Sequence, residues 1–191
     1  MHADMFYDIC KIAAVNATTA LSRLLQIPFV IESCKVEVDD FGSITNLADG
    51  EEKAISFYSL IPGNIPGYTF VFYHEATALP FYKMITKKSL PRSEKKMDDA
   101  LITALSDITN VILKNFLTSI AQAFQLHLST HPVSIYNNSS LIKIFDWIRQ
   151  VKASKLPKQS LNFFVKFKQE NIQGYIFIMF DYGKLIAVSL K

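Results

Sequence analysis

Four polar side chains of different chemistry recur at one-turn spacing in the second half of the chain: Thr103, Asp107, Asn110 and Lys114. At about 100° per residue they share one sector of a helix, opposite a stripe of leucine, isoleucine and phenylalanine. The row holds a hydroxyl, a carboxylate, an amide and an ammonium, and the spacing from Asp107 to Lys114 is only weakly favourable for an ion pair within the helix. Polar residues opposite an apolar stripe also occur on any surface helix, so the row by itself leaves function open.

The polar row requires a long helix, and apolar periodicity predicts one over residues 97–124. A second amphipathic helix is predicted over residues 5–26. Six strands are predicted, over residues 29–38, 54–61, 68–74, 126–135, 161–168 and 175–180. Shorter helices are predicted over 76–86 and 141–153, the latter capped by a polar turn at 137–140. Because strands occur in adjacent pairs joined by short turns, we predict an α+β fold with a six-stranded, mainly antiparallel sheet and two long amphipathic helices packed on it.

Short segments repeat in the same order about 100 residues apart. The long helices align at Asp8-Ile9-Cys10-Lys11 and Asp107-Ile108-Thr109-Asn110, and again at residues 19–22 and 118–121. A Gly-Tyr-x-Phe segment begins at Gly67 in the first half and at Gly174 in the second. The matches predict one domain over residues 1–191 made of two pseudo-symmetric halves, about 1–91 and 97–191. Each shared glycine opens a strand, where a missing Cβ is expected to permit backbone angles that other residues resist.

Composition excludes several classes of function. The net charge of +3 is too mild for a dedicated nucleic-acid binder. No apolar run near the start reaches the roughly 18 residues of a membrane span, so a cytoplasmic protein without a membrane segment is expected. Cys10 and Cys34 lack metal-type spacing and are expected to be small buried side chains. His127 and His131 would lie on one side of a strand but have no companion ligands, so no metal site is predicted.

With these motifs, the chain resembles the CheC, CheX and FliY family of chemotaxis phosphatases over nearly its whole length. In that family the long helix of each half carries Asp or Ser, then Glu four positions later and Asn three positions after that, and a Pro follows a later strand. The second half of this chain has Thr103, Asp107 and Asn110 at those helix positions, with Pro132 further on. The Gly-Tyr-x-Phe strand in each half also fits the family.

The resemblance implies a function as well as a fold. Members of the family hydrolyse the aspartyl phosphate of a receiver domain such as CheY. The Mg²⁺ of that reaction belongs to the receiver, so the resemblance implies no metal or other cofactor in this chain. By this carry-over Asn110 is the catalytic candidate that orients a water for in-line attack. Asp107 is the docking carboxylate that pairs with a receiver Lys. Thr103 and Lys114 complete the predicted binding face.

The sequence departs from the family pattern at several positions. Asp107 is one methylene shorter than Glu, which withdraws its carboxylate by about 1.5 Å. The first half has Asp4 and Asp8 but carries Lys11 in place of Asn, with Cys34 near where the Pro would fall. An ammonium has only donors, so the first site is predicted to be inactive. Its row is then either a surface that binds a partner or a solvated face.

Two other classes of protein remain open. One is a non-catalytic chemotaxis or flagellar adapter on the same scaffold, related to the FliM middle domain or binding a receiver or a CheD-like protein. The other is an unrelated α+β ligand-binding domain, for which the internal match would be accidental. An adapter of the flagellar switch would be expected to lose the acid–amide pair in both halves. The survival of Asn110 therefore favours the phosphatase.

Overall fold

The computed structural model describes residues 2–39, 53–86, 99–140, 143 and 159–189. The helices bounded within these ranges are α1 (His2–Leu25), α2 (Glu75–Thr86), α3 (Asp99–Phe124) and α4 (Tyr182–Ser189). The strands are β1 (Val30–Asp39), β2 (Lys53–Ile61), β3 (Gly67–His74), β4 (Ser134–Ser140), β5 (Ser160–Gln169) and β6 (Ile172–Asp181). The predicted α+β class with a six-stranded antiparallel sheet is confirmed. The helix predicted over 141–153 lies outside the described residues, apart from the single position 143.

The six strands pair in the order β1-β5-β6-β3-β2-β4, and every pair is antiparallel. The central pair joins β3 to β6, where Phe70 lies opposite Phe177 and the two rings stack with centroids 5.8 Å apart. β2 and β3 form one hairpin and β5 and β6 another, while β1 and β4 each pair with the other half's hairpin. The strand order therefore looks alike from either edge. The internal duplication itself stays a prediction, with which this order is compatible.

Gly67 and Gly174 are required for a reason other than the predicted one. Among the described glycines only Gly63, in the turn between β2 and β3, has a positive φ, of 110°. A Cβ on Gly174 would lie 2.9 Å from two carbons of the Phe167 ring, and one on Gly67 would meet the backbone oxygen of Met179. Both glycines thus permit a neighbouring group to approach closely, and the expectation of unusual backbone angles is wrong at both positions.

Helices α1 and α3 pack against each other and against one face of the sheet. The buried stripe of α1 is formed mainly by small side chains, among them Cys10, Ala13 and Ala17, each fully buried. The facing stripe of α3 is bulkier and includes Phe116 and Ile120, also fully buried. Each large aliphatic or aromatic side chain removed from water in this layer contributes roughly 1.5–3 kcal/mol. The two helices are therefore held with one face inward and the other toward solvent.

Within the described residues, α3 is the one helix long and apolar enough to span a membrane by length and composition. Eleven of its residues are buried, mostly against α1 and the sheet. Its opposite face is polar and exposed. The apolar content of α3 is thus explained by its place in the core.

The strand predicted over 126–135 has the wrong bounds. Residues 126–133 form no strand, whereas β4 begins at Ser134 and includes residues 137–140, which were expected to form a turn. β4 lies at the edge of the sheet, where its backbone pairs with β2, and this pairing outweighs the weak strand preference of the polar sequence. The preceding segment still follows β2, because the backbone N–H of His131 donates to the Leu60 carbonyl at 3.2 Å.

Candidate functional site

The solvent-facing side of α3 carries the predicted polar row. Thr103, Asp107, Asn110 and Lys114 are all exposed. At a rise of about 1.5 Å per residue, the row extends over about 16 Å of the helix. Asp107 and Asn110 are separated by three positions, which places their Cβ atoms about 5–6 Å apart. The acid and the amide are therefore close enough to contact one partner at the same time.

A buried residue that sequence reasoning missed fixes the rotation of this helix. Thr109 is fully buried, and its hydroxyl lies 3.0 Å from the hydroxyl of Tyr73, which is also fully buried in the middle of the core. Burial raises the pKa of Tyr73, so its hydroxyl stays protonated and available as a donor. With Thr109 tied to β3, the next residue, Asn110, points to solvent. A polar residue on the apolar side of a helix was the only sequence signal for this contact.

The hydrogen bonds on the exposed face distinguish its members. The hydroxyl of Thr103 donates to the Asp99 carbonyl one turn earlier, at 2.8 Å, so it is occupied by its own helix. Within the described part of the chain, the side chains of Asp107, Asn110 and Lys114 have neither a hydrogen bond nor an ion pair. Of the four predicted side chains, these three are thus available to an external group.

The equivalent face of α1 has a different chemistry. Its predicted polar residues Asp4, Asp8 and Lys11 are exposed, as expected. Among the apolar side chains that α1 leaves in solvent, Ile12 at 59% and Val15 at 45% exposure follow Lys11 along the helix. In the alignment that pairs Asp8 with Asp107, Val15 falls at the position of Lys114. The first face is therefore more apolar than the second, and it lacks the amide.

A polar contact links the two helices at their interface. The side-chain amide of Asn16 donates to the hydroxyl of Ser119 at 2.9 Å. Ser119 in turn donates to the Asn115 carbonyl of its own helix at 3.0 Å. This contact lies about two and a half turns beyond Asn110 along α3. It fixes the register between the helices, and with it the spacing between their two exposed faces.

The candidate site is a helix face, not a cavity. Two open grooves, of about 650 and 350 Å³, lie near the end of α3 around Gln125 and His127 and do not include Asp107 or Asn110. No group of three or more His, Cys, Asp or Glu side chains in the described ranges could hold a metal ion. His127 and His131 lie outside any strand, so the arrangement that sequence reasoning gave them is wrong. An exposed polar helix face suits contact with another macromolecule.

Solved structures of CheC-like and CheX proteins, of FliY and of the FliM middle domain share this fold. FliY from Thermotoga maritima superimposes with a TM-score of 0.65 at 14% identity, over 97% of this chain and 92% of that one. A CheC-like superfamily protein from Shewanella sp. PV-4 gives a TM-score of 0.61 at 10% identity, over 91% of this chain and 97% of that one. The FliM middle domain from H. pylori gives 0.61 at 10% identity, over 98% of this chain and 95% of that one. No family model matches the chain, and no curated protein matches it in sequence.

The chain thus has the fold of the CheC-like proteins, as the resemblance in sequence implied. CheX and FliY share that fold with the FliM middle domain, so the fold alone leaves several functions possible. The chemistry of this chain is therefore to be sought in the groups on its own exposed helix faces. In this chain α3 presents an acid and an amide, and α1 presents acids, a lysine and apolar side chains.

Proposed function

We propose that this chain binds a phosphorylated receiver domain of the CheY type through the exposed face of α3 and promotes hydrolysis of its aspartyl phosphate. The observation that carries the proposal is the exposed Asp107–Asn110 pair, which has no hydrogen-bond partner in the described part of the chain. It lies on a scaffold shared with CheC-like, CheX and FliY proteins.

Asn110 is the residue that acts on the water. Its amide presents two N–H donors and a carbonyl acceptor, so it can hold a water molecule while that water keeps a lone pair directed at phosphorus. Phosphoryl transfer demands in-line approach and little covalent help, so positioning supplies most of the catalysis. The anchoring of Thr109 to Tyr73 limits rotation of α3 and so lowers the cost of placing the amide.

Asp107 provides the docking contact. An exposed carboxylate one turn from the amide can pair with a lysine beside the receiver's phosphate and so orient the two proteins. Lys114 extends the row on the other side of Asn110 and can meet an acidic group on the receiver. Thr103 adds a contact at the start of the row, with its hydroxyl hydrogen already donated. The Mg²⁺ of the reaction belongs to the receiver, and the proposed encounter takes place in the cytoplasm.

An adapter without catalytic activity is the second candidate, and two observations favour it. The FliM middle domain covers 98% of this chain at a TM-score of 0.61. The first face has Lys11 in place of the amide and exposes Ile12 and Val15, a composition that suits protein contact more than water activation. Such an adapter would bind a receiver or a CheD-like protein through one of the two faces and leave the phosphate intact.

The decisive measurement is the lifetime of phosphorylated receiver domains. Receivers are phosphorylated with acetyl phosphate and Mg²⁺, the donor is removed, and phosphate release is followed with and without this protein. We expect acceleration by the wild type, its loss in Asn110→Ala and its retention in Lys11→Ala, the matched change on α1. Equal acceleration by wild type and Asn110→Ala would exclude Asn110 as the catalytic residue.

The same proteins separate the adapter from the phosphatase. Binding of the phosphorylated receiver without acceleration, undiminished in Asn110→Ala and lost in Asp107→Lys, would identify the α3 face as an adapter surface. If neither binding nor acceleration is found with any receiver of the same organism, both candidates fail.

A further inference from the structure

The two cysteines of the chain meet, although they are far apart in sequence. Cys10 lies on α1 and Cys34 on β1, and α1 packs over that strand. Their side chains are within hydrogen-bond contact of each other and are both free thiols. Cys10 is fully buried, whereas Cys34 is partly exposed on an edge strand. The pair thus combines one thiol that solvent can reach with one that it cannot.

The hydrogen bond between the two thiols, the charge of Lys11 and burial give Cys10 and Cys34 different acidities. The Cys10 thiol donates to Cys34, which lowers the pKa of Cys34, and the nearby Lys11 ammonium lowers it further, while burial acts in the opposite direction. The pKa of Cys10 is raised, first by its hydrogen bond with Cys34 and then by burial. Of the two thiols, Cys34 is therefore the one that gives up its proton more readily, and the thiolate is the reactive form of cysteine.

We propose that Cys34 and Cys10 form a dithiol that a hydroperoxide oxidises to an intramolecular disulfide linking α1 to β1. The Cys34 thiolate attacks one peroxide oxygen, an S–O bond forms as the O–O bond breaks, and the departing hydroxide takes a proton to become water. Cys34 is then a sulfenic acid, oxidised by two electrons, and the peroxide has been reduced.

The second step uses the buried partner. The sulfur of Cys10 attacks that of Cys34, an S–S bond forms as the S–O bond breaks, and the oxygen leaves as water with the proton of Cys10. The sum is two thiols and one hydrogen peroxide giving one disulfide and two waters. Once Cys34 is a sulfenic acid, the thiolate that held the proton on Cys10 is gone, so Cys10 becomes the better nucleophile when it is needed.

This chemistry does not depend on the proposed phosphatase activity. The second half has no cysteine, and in the alignment of the two helices Cys10 pairs with Thr109 and Lys11 with Asn110. The dithiol is thus a property of the first half alone. It also assigns a role to Lys11, as a positioning residue that stabilises the thiolate of Cys34.

The test uses the whole reduced chain, treated with a small excess of hydrogen peroxide and then analysed by mass. The expected product has lost two hydrogens and both thiols, runs as a monomer on a non-reducing gel, and yields a peptide pair joined through Cys10 and Cys34. Because the chain has only two cysteines, this product has one possible linkage. Intact thiols, a disulfide-linked dimer, or oxidation of Cys34 to a sulfinic acid without a disulfide would each overturn the proposal.

Variants test the assignment of the two sulfurs. Cys10→Ser should leave Cys34 as a sulfenic acid that dimedone captures, and Cys34→Ser should leave Cys10 unreactive toward peroxide because it is buried. Lys11→Ala should slow peroxide oxidation of the wild-type pair several-fold, whereas Arg23→Ala, a matched loss of charge further along α1, should not. A rate unchanged by Lys11→Ala would refute the role of the lysine. If Cys10→Ser does not fold, the peptide mapping of wild type still decides the linkage.

Discussion

Replacing Thr109 with Val should destabilise the protein more than replacing its partner Tyr73 with Phe. Both side chains are fully buried and their hydroxyls are 3.0 Å apart. Thr109→Val preserves shape but leaves the Tyr73 hydroxyl without the one partner that the described residues give it, which costs about 1–3 kcal/mol. Tyr73→Phe leaves a threonine hydroxyl that can turn to the carbonyl one turn earlier, as Thr103 and Thr118 do, so about 0.5–1.5 kcal/mol is expected.

The double variant makes the reasoning specific to the hydrogen bond. With both hydroxyls removed no polar atom of the pair is left unsatisfied, so the double variant should be more stable than the sum of the single changes by about 1 kcal/mol or more. Urea unfolding followed by circular dichroism measures the four free energies, and each kcal/mol should also shift Tm by about 2–4 °C. Additive single effects, or a larger cost for Tyr73→Phe than for Thr109→Val, would refute the proposed anchoring of α3.

Other changes test other parts of the molecule. Gly174→Ala should cost about 1–3 kcal/mol by pressing a Cβ into a movable ring, whereas Gly67→Ala should cost more because its obstacle is a backbone oxygen; thermal melts that rank the two in reverse would contradict this. Asp107→Glu should raise the rate of receiver dephosphorylation by as much as about 100-fold, measured as phosphate release, and a fall in that rate would show that the shorter acid is the better fit. Glu32→Gln should lower Tm at neutral pH but leave it unchanged in strong acid. Ion pairs with Lys168 and Lys166, at 2.8 and 3.0 Å, hold the pKa of Glu32 below its ordinary value of 4.5. The stabilisation that these ion pairs give is therefore complete above pH 4.5 and is lost as the pH falls through the lowered pKa of Glu32. A difference in Tm between wild type and Glu32→Gln that persisted in strong acid would have another cause.

The parts of the fold that sequence predicted are those set by local pattern. The apolar period of α1 and α3 is strong over more than twenty residues, and the hairpins of β2–β3 and β5–β6 join segments that are neighbours in the chain. The exposure of Asp107 and Asn110 followed directly from the helical period, because residues opposite a buried stripe must face solvent.

The features that sequence missed all depend on contacts between distant segments. β4 is a strand because β2 supplies its backbone hydrogen bonds. The polar sequence at 137–140 does not predict that pairing. The Thr109–Tyr73 hydrogen bond and the Cys10–Cys34 contact likewise join a helix to a strand elsewhere in the chain. Periodicity reports which face of an element is buried, but not which group it meets there.

The two long helices bury residues of different chemistry at the positions that align between them. In the predicted alignment of the two helices Thr109 pairs with Cys10; both are fully buried, and each is followed by a residue exposed to solvent. The hydroxyl of Thr109 contacts the hydroxyl of Tyr73. When the two strands are aligned at Gly67 and Gly174, Tyr73 pairs with Phe180, which has no hydroxyl. The Cys10 thiol contacts Cys34 on the edge strand. The Lys11 ammonium has only donors and cannot activate water as an amide can, but its charge lowers the pKa of the Cys34 thiol. If the proposed dithiol chemistry holds, Lys11 belongs to a different site of the first half and is not the inactive remnant of a second amide site.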